Sequence, residues 1–377
     1  MGAEYLLYGY GIVCLSMLVF NIIYCIYLNS GQRRLERKVE RISSMADSQF
    51  RLIRDGLPIS SGHISQMERY LSRVGNLLAF DQFLDQKTAQ NVDIRAYLSQ
   101  LRPAFLALAR VYQNREDTQA AYYCHFLTRH LVGQYTQMEP LHQELLAYLD
   151  KRSIYCRVNT LKALCAFGCV ESVVQALLRL RDLPGAGLHN KILVETLLTF
   201  QGDSAALIVE IWQRFEQFPT GTQRALLDYI RFKSGDYCEQ MLRILTDTDR
   251  DKELRLAAIR YLGKYPYPLA HGALVELVAQ PDSRNWEFTA IAASSLAGYQ
   301  GADVVDALSQ AMHNSNWYVR YNAAVSLEAL GLTYEQLLHI AGNDRFAREM
   351  LVYRLESREM AESQERMEEG KEAAVSV

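Results

Sequence analysis

The stretch from Asn316 to Gly331, NWYVRYNAAVSLEALG, has weaker counterparts upstream, and that recurrence limits the fold more than any other feature. Asn316 is a good N-cap, Val319, Ala323, Leu327 and Leu330 recur on one face, and Gly331 is a natural stop. One helix of this length is not stable in water, so its apolar face must be buried against its copies. With Leu327 as the mark, equivalent positions are Leu296, Leu262, Ile230, Leu197 and Leu164, giving backward spacings of 31, 34, 32, 33 and 33 residues. Such a period is the signature of a repeat architecture.

Each copy follows a second amphipathic segment, over 140–150, 170–182, 203–218, 236–246, 268–280, 302–313 and 334–341. Connections such as LPGAG, TDTDRD and QPDSRN carry the Gly, Pro, Asp and Asn that stop one helix and cap the next. The unit is a pair of antiparallel helices, and stacked pairs make an α-solenoid. The expected fold is all-α, with only 8 prolines and 21 glycines interrupting long helix-forming windows.

Asp249, Asp251, Leu254, Arg255, Ala258, Ile259 and Leu262, and again Asn314, Asn316, Val319, Arg320, Ala323, Ala324 and Leu327, resemble the second helix of HEAT repeats. The likeness is strongest to the short kind also seen in phycobilisome lyases, and it covers roughly 140–355. It implies a right-handed solenoid in which an aspartate caps the inner helix and an arginine reaches an adjacent repeat, forming a ladder. Here the ladder positions are Arg157, Arg255 and Arg320, interrupted by Thr289, Gln223 and His189. The family motif specifies a fold and is almost silent on function.

Ahead of the array, residues 5–28 carry no charge, enough to cross a ~30 Å hydrocarbon layer as one transmembrane helix. Arg33, Arg34, Arg37, Lys38 and Arg41 follow directly, and the other flank has no basic residue. The positive-inside rule then places the N-terminus outside and the repeats in the cytoplasm, and the same cations could touch anionic headgroups. Leu35, Val39, Ile42, Ala46 and Ile53 have the spacing of a short coiled coil, a possible dimerisation stalk over 35–53, or of an amphipathic helix lying on the body. GLPISSG, at 56–62, reads as a hinge. The expected organisation is an anchor (1–30), a basic juxtamembrane helix and hinge (31–62), an irregular helical cap (63–138), the array (139–355) and an acidic tail (356–377). Within the cap, helices are expected over 64–86 and 92–113, the second bent or restarted near Pro103, followed by one capped by Asp117.

No phosphate-binding, nucleophile-elbow, zinc or dinucleotide motif stands out, so no catalytic, metal or cofactor residue is assigned. His125 and His130 are five apart and would not share a helix face well. The seven cysteines form no disulfide framework, and Cys165 and Cys169 read as small core residues. A net charge of −3 gives no general attraction for nucleic acid, which would need a local basic groove. Trp286 and Trp317 occupy matching places in successive copies and are joined by Tyr318 and Tyr321. They either wedge between repeats or anchor a protein partner. The expected function is a membrane-anchored scaffold for a protein, such as an integral membrane enzyme or transporter. A lyase acting on a protein-bound chromophore, or a nucleic-acid-binding array, are the alternatives.

Overall fold

A computed structural model describes residues 2–132, 138–183, 185, 187–358 and 360; the side chains of 2–7, 12, 25–30 and 283 lie outside that description. The described residues are helical throughout and contain no strand. The chain divides into two compact units, Met1–Ile211 and Trp212–Val377.

The first unit contains α1 (Gly2–Arg54), α2 (Ser61–Leu71), α3 (Val74–Ala89), α4 (Arg95–Gln100), α5 (Arg102–Gln113) and α6 (Asp117–His130). It continues with α7 (Glu139–Leu146), α8 (Ile154–Phe167), α9 (Val170–Asp182) and α10 (Asn190–Leu198), and α11 (Ser204–Gln213) crosses the division. Helices α3, α6, α8 and α10 lie side by side in one layer, with α2, α5, α7 and α9 in the other. The two-layer order thus begins at α2, well before residue 139, and the segment expected to be an irregular cap follows the same plan. Leu127 of α6 is fully buried 37 residues before Leu164, and Cys124 Sγ meets Thr160 Oγ1 of α8 at 3.4 Å. The expected helix over 64–86 is two helices that meet at Ser72 and Arg73, while the second does restart with Pro103 in the first turn of α5. Asp117 caps a neighbour instead of its own helix: its carboxylate accepts the Ser153 N–H, at 2.8 Å, where α8 begins.

α1 is one unbroken helix of 53 residues. Val39, Ile42 and Ala46 are buried, and α1 packs on α3, so the stripe expected to form a coiled-coil stalk lies on the body of its own chain. The GLPISSG segment is not a free hinge. The Ile59 N–H donates to Gln100 Oε1 at 2.7 Å and the Ser60 N–H to Gln49 Oε1 at 3.0 Å, and Ile59 is buried.

Among the described residues, no helix is long and apolar enough to cross a membrane, so the expected transmembrane helix over 5–28 is not supported there. The exposed apolar run from Val13 to Tyr24 is about 18 Å long at 1.5 Å per residue, well short of ~30 Å. Tyr8, Gly9, Tyr10 and Gly11 precede it, Ser16 and Asn21 interrupt it, and the side chains of 5–7, 12 and 25–28 lie outside the description.

The second unit contains α12 (Thr220–Lys233), α13 (Cys238–Thr246), α14 (Lys252–Lys264), α15 (His271–Ala279), α16 (Trp286–Ser295), α17 (Ala302–Ala311), α18 (Trp317–Ala329), α19 (Tyr334–Ala341) and α20 (345–358). Helices α12, α14, α16 and α18 form one layer, and α13, α15 and α17 pack across it. Four of the six phase marks, Ile230, Leu262, Leu296 and Leu327, lie in this unit, and all six are fully buried. Asp251 Oδ1 accepts the Glu253 N–H at 2.8 Å and Asn316 Oδ1 the Tyr318 N–H at 2.9 Å, so the capping expected of both residues is realised.

Polar bonds between neighbouring helices fix their depth. Ser295 Oγ donates to Ile259 O at 3.1 Å and Ser326 Oγ to Ala293 O at 2.7 Å, each from the residue before a phase mark. Asn322 Nδ2 donates to Ala290 O at 2.7 Å, and Tyr299 Oη to Leu262 O at 3.0 Å. The approach of α14 and α16 depends on Gly263, where a Cβ would stand 2.5 Å from Ser295 Oγ and 2.8 Å from its Cα.

Two substitutions should therefore have opposite signs. Gly263→Ala forces α14 from α16 and should cost about 1–3 kcal/mol. Gly272→Ala, in α15 with open space around it, should gain about 0.5–1 kcal/mol. Denaturant unfolding of both variants measures the contrast.

Candidate functional site

The site is built on a position seven residues before the phase marks, where a long side chain points toward the end of the preceding helix. Arg157 Nε donates to Leu149 O at 3.1 Å, Arg255 Nε to Leu245 O at 2.9 Å, and Arg320 Nη1 to Asn314 O and Ser315 O at 2.7 and 2.9 Å. These acceptors lie at or just beyond the C-terminal end of the other helix of the same pair, where carbonyls lack intrahelical donors. The expected ladder therefore runs chiefly within a pair. Gln223 Nε2 donates to Phe215 O at 3.0 Å and Thr289 Oγ1 to Leu277 O at 3.0 Å, so two residues expected to interrupt the series perform the same task. His189, eight residues before Leu197, does not: its Nδ1 accepts the Lys191 N–H at the start of α10. Arg348, which sequence reasoning missed, donates from Nε to Gly342 O at 2.7 Å.

The arginines also reach the next pair. The Arg255 guanidinium lies 4.8 Å from the Phe288 ring centroid and that of Arg320 5.4 Å from Phe346, while Arg157 Nη1 meets Gly185 O at 3.4 Å. Thr and Gln are too short for this second contact, which separates the arginine copies from the others.

In the second unit, the sequence-selected aromatics form one row. Trp286 stacks on Tyr318, with centroids 5.4 Å apart and planes at 16°. Tyr318 meets Trp317 edge-on at 5.2 Å, and Trp317 stacks on Tyr321 at 5.1 Å and 12°. Tyr353 of α20 extends the row, T-shaped against Trp317 at 5.7 Å. Arg354 closes it, with its guanidinium 5.3 Å from the Tyr321 ring, Nη1 donating to Tyr321 Oη at 3.2 Å and Nη2 to Glu328 at 2.8 Å. The rings do link adjacent helices, at about 0.5–1.5 kcal/mol per pair. Yet Trp317 keeps 41% of its surface exposed, Tyr318 57% and Tyr353 47%, so the wedge leaves large faces in solvent. Beside the row is a cleft of about 400 Å³ lined by Pro281, Asp282, Trp286, Asn314, Asn316 and Val319, among others. The arrangement offers flat apolar faces with polar groups at their edge. Tyr353 and Arg354 lie beyond the clean repeats, so spacing alone could not have found them.

The one cluster of potential metal ligands among the described residues is Asp81, Asp85 and His130. One cation already bridges its two carboxylates. Arg129 Nη1 donates to Asp81 Oδ1 at 2.7 Å and Nη2 to Asp85 at 2.9 Å, while His130 Nε2 is 2.6 Å from Asp81 Oδ1 and Tyr122 Oη donates to Asp81 Oδ2 at 2.6 Å. Burial acts to raise the Asp81 pKa, but the bonds from His130 and Tyr122 and the nearby charge of Arg129 outweigh it and hold the carboxyl down at about 2. His125 takes no part in this cluster.

Burial pushes the Cys165 thiol up to about 12 and Cys156 to about 11, which removes their thiolate character at neutral pH. Cys165 is a core residue as expected, whereas Cys169 is only half-buried. At the other end of the chain, Arg33, Arg34, Arg37 and Arg41 are exposed on α1 and Lys38 is half-buried.

Compared with known proteins, the chain matches no protein-family model and no curated protein.

Asp81 carries a pH prediction. Its folded pKa lies below the unfolded value of 3.8, so its stabilisation is fully present above pH 4 and is lost as pH falls through about 2. The shift corresponds to about 2 kcal/mol. Unfolding free energies of the native chain and Asp81→Asn should differ by that order at pH 6 and converge toward pH 2.

Proposed function

We propose that this chain is a HEAT-like helical scaffold, attached to a membrane through the apolar end of α1, that presents the aromatic row of its second unit to a protein partner. The observation that carries the reading is the exposure of Trp317, Tyr318 and Tyr353, three large rings from two helices in one continuous row. Rigid aromatics of this kind are the commonest anchors at protein interfaces because they offer large contact area at little entropic cost. The capped helices at Asp251 and Asn316 and the arginines at 157, 255 and 320 support the HEAT-like assignment.

Attachment is supported by α1 itself. Val13, Leu15, Met17, Leu18, Val19, Phe20, Ile22 and Ile23 are all exposed on every side of the helix, a pattern expected where the surroundings are lipid or protein. In this reading the whole segment 5–28 crosses the bilayer, with the N-terminus outside and the repeats in the cytoplasm. Confinement to a surface then raises the effective concentration of a bound, membrane-associated partner.

Two measurements test the two halves separately. Crosslinking and capture from native membranes with the full-length chain should recover a reproducible partner. Tyr318→Ala and Tyr353→Ala should each reduce that recovery about tenfold or more, with a stability loss no larger than about 1.5 kcal/mol. Unchanged recovery would overturn the interface. For the anchor, the chain should remain with membranes in alkaline carbonate and an N-terminal tag should be protected from protease on the cytoplasmic side. Release by carbonate would overturn the span.

A further inference from the structure

The start of the body adds charge to the basic flank of α1. The Ser60 N–H bonds to Gln49 of α1, and the Arg41 guanidinium lies 5.6 Å from the Tyr70 ring centroid, so α2 returns along α1 toward its apolar end. At the start of α3, a Cβ on Gly75 would stand 2.9 Å from Lys38 Nζ, and Lys87 Nζ meets Asp47 at 3.1 Å, so α3 descends alongside α1. The turn between α2 and α3, at Ser72 and Arg73, is thus level with Lys38 and Arg41. It brings Arg69 and Arg73, both exposed, to the cations of α1.

Seven cations, Arg33, Arg34, Arg37, Lys38, Arg41, Arg69 and Arg73, therefore share one end of the body, against Glu36, Glu40 and Glu68. Among the described residues none of the seven forms an ion pair, whereas Lys87, Arg110, Arg129, Lys151 and Arg179 of the same unit all do. Like charges gathered in excess of their counter-charges repel each other, and an anionic surface relieves that repulsion.

The geometry points to a docking platform for an anionic phospholipid surface, formed jointly by the basic flank of α1 and the α2–α3 turn. This rests on the reading that α1 enters the bilayer. Continuity argues for lipid over other polyanions, because the platform adjoins the exposed apolar run on the same unbroken helix. The distance also fits. Ten residues of helix, from 28 to 38, span about 15 Å, of which the polar headgroup layer occupies about 5–7 Å. The remaining ~8 Å is about one Debye length at physiological ionic strength, before arginine side chains extend into it. The turn then fixes which side of the body faces the membrane, which α1 alone cannot do because it is free to rotate about its axis.

The test uses the full-length chain with vesicles of phosphatidylcholine alone or with 30% phosphatidylserine. The native chain should bind the anionic vesicles more tightly, with the difference disappearing at high salt. Arg69→Gln with Arg73→Gln should weaken binding to anionic vesicles about tenfold and leave binding to neutral vesicles unchanged. The Lys double variant at the same positions should restore it, and matching circular dichroism would exclude misfolding. If the Gln variant binds anionic vesicles as the native chain does, the platform is overturned while attachment through α1 stands. Failure of the native chain to bind either vesicle would overturn attachment itself. Nucleic acid that binds with the same dependence on Arg73 and displaces the vesicles would overturn the assignment to lipid.

Discussion

Everything in the two units depends on the inability of a single helix pair to bury its own apolar face. Leu164, Leu197, Ile230, Leu262, Leu296 and Leu327 lose all contact with water only because a neighbouring helix covers them. Burial of that kind is non-directional and would allow neighbours to slide. In the second unit, register comes instead from polar bonds at the preceding position, Ser295 to Ile259 O and Ser326 to Ala293 O, whose donors are buried. The hydrophobic marks hold the layers together and the hydroxyls fix their positions.

The rung position shows how a repeat conserves a physical task while changing the residue. Carbonyls at the end of the first helix of each pair need a donor, and a guanidinium, an amide or a hydroxyl can supply it. Only arginine has length left over for an aromatic face on the following pair, as between Arg320 and Phe346. Arg157, Arg255 and Arg320 bridge two pairs and the shorter copies serve one. The same division of labour appears in the aromatic row, where Tyr321 is held by Arg354 and Trp317 while Tyr318 remains largely open.

The all-helical fold and the 33-residue period were legible because buried positions on a straight helix must recur at helical spacing. The identity of the rung residues was less so, since Thr289 and Gln223 look like failures of an arginine motif and are equivalents of it in hydrogen bonding. The order of α2 to α6 escaped the repeat reading for a related reason. The step from Leu127 to Leu164 is longer than the others, and the aromatic-rich core there, with Phe80, Phe105 and Phe126, is filled by different side chains. The flexible-looking GLPISSG turn illustrates the limit of composition, because its order comes from Gln49 and Gln100, residues that no local pattern connects to it. Trp286 and Trp317 open the neighbouring helices α16 and α18, and their rings are linked through Tyr318.

The length of α1 has a mechanical meaning. A helix of 53 residues is about 80 Å long, and no break separates its apolar end from the part gripped by α3. It is a stiff lever whose two ends must turn together. A tilt of about 10° at the apolar end displaces the other by roughly 14 Å, and a twist there turns every side chain that α1 presents to the body. Whatever surrounds the first twenty-odd residues therefore also sets the direction in which the first unit points.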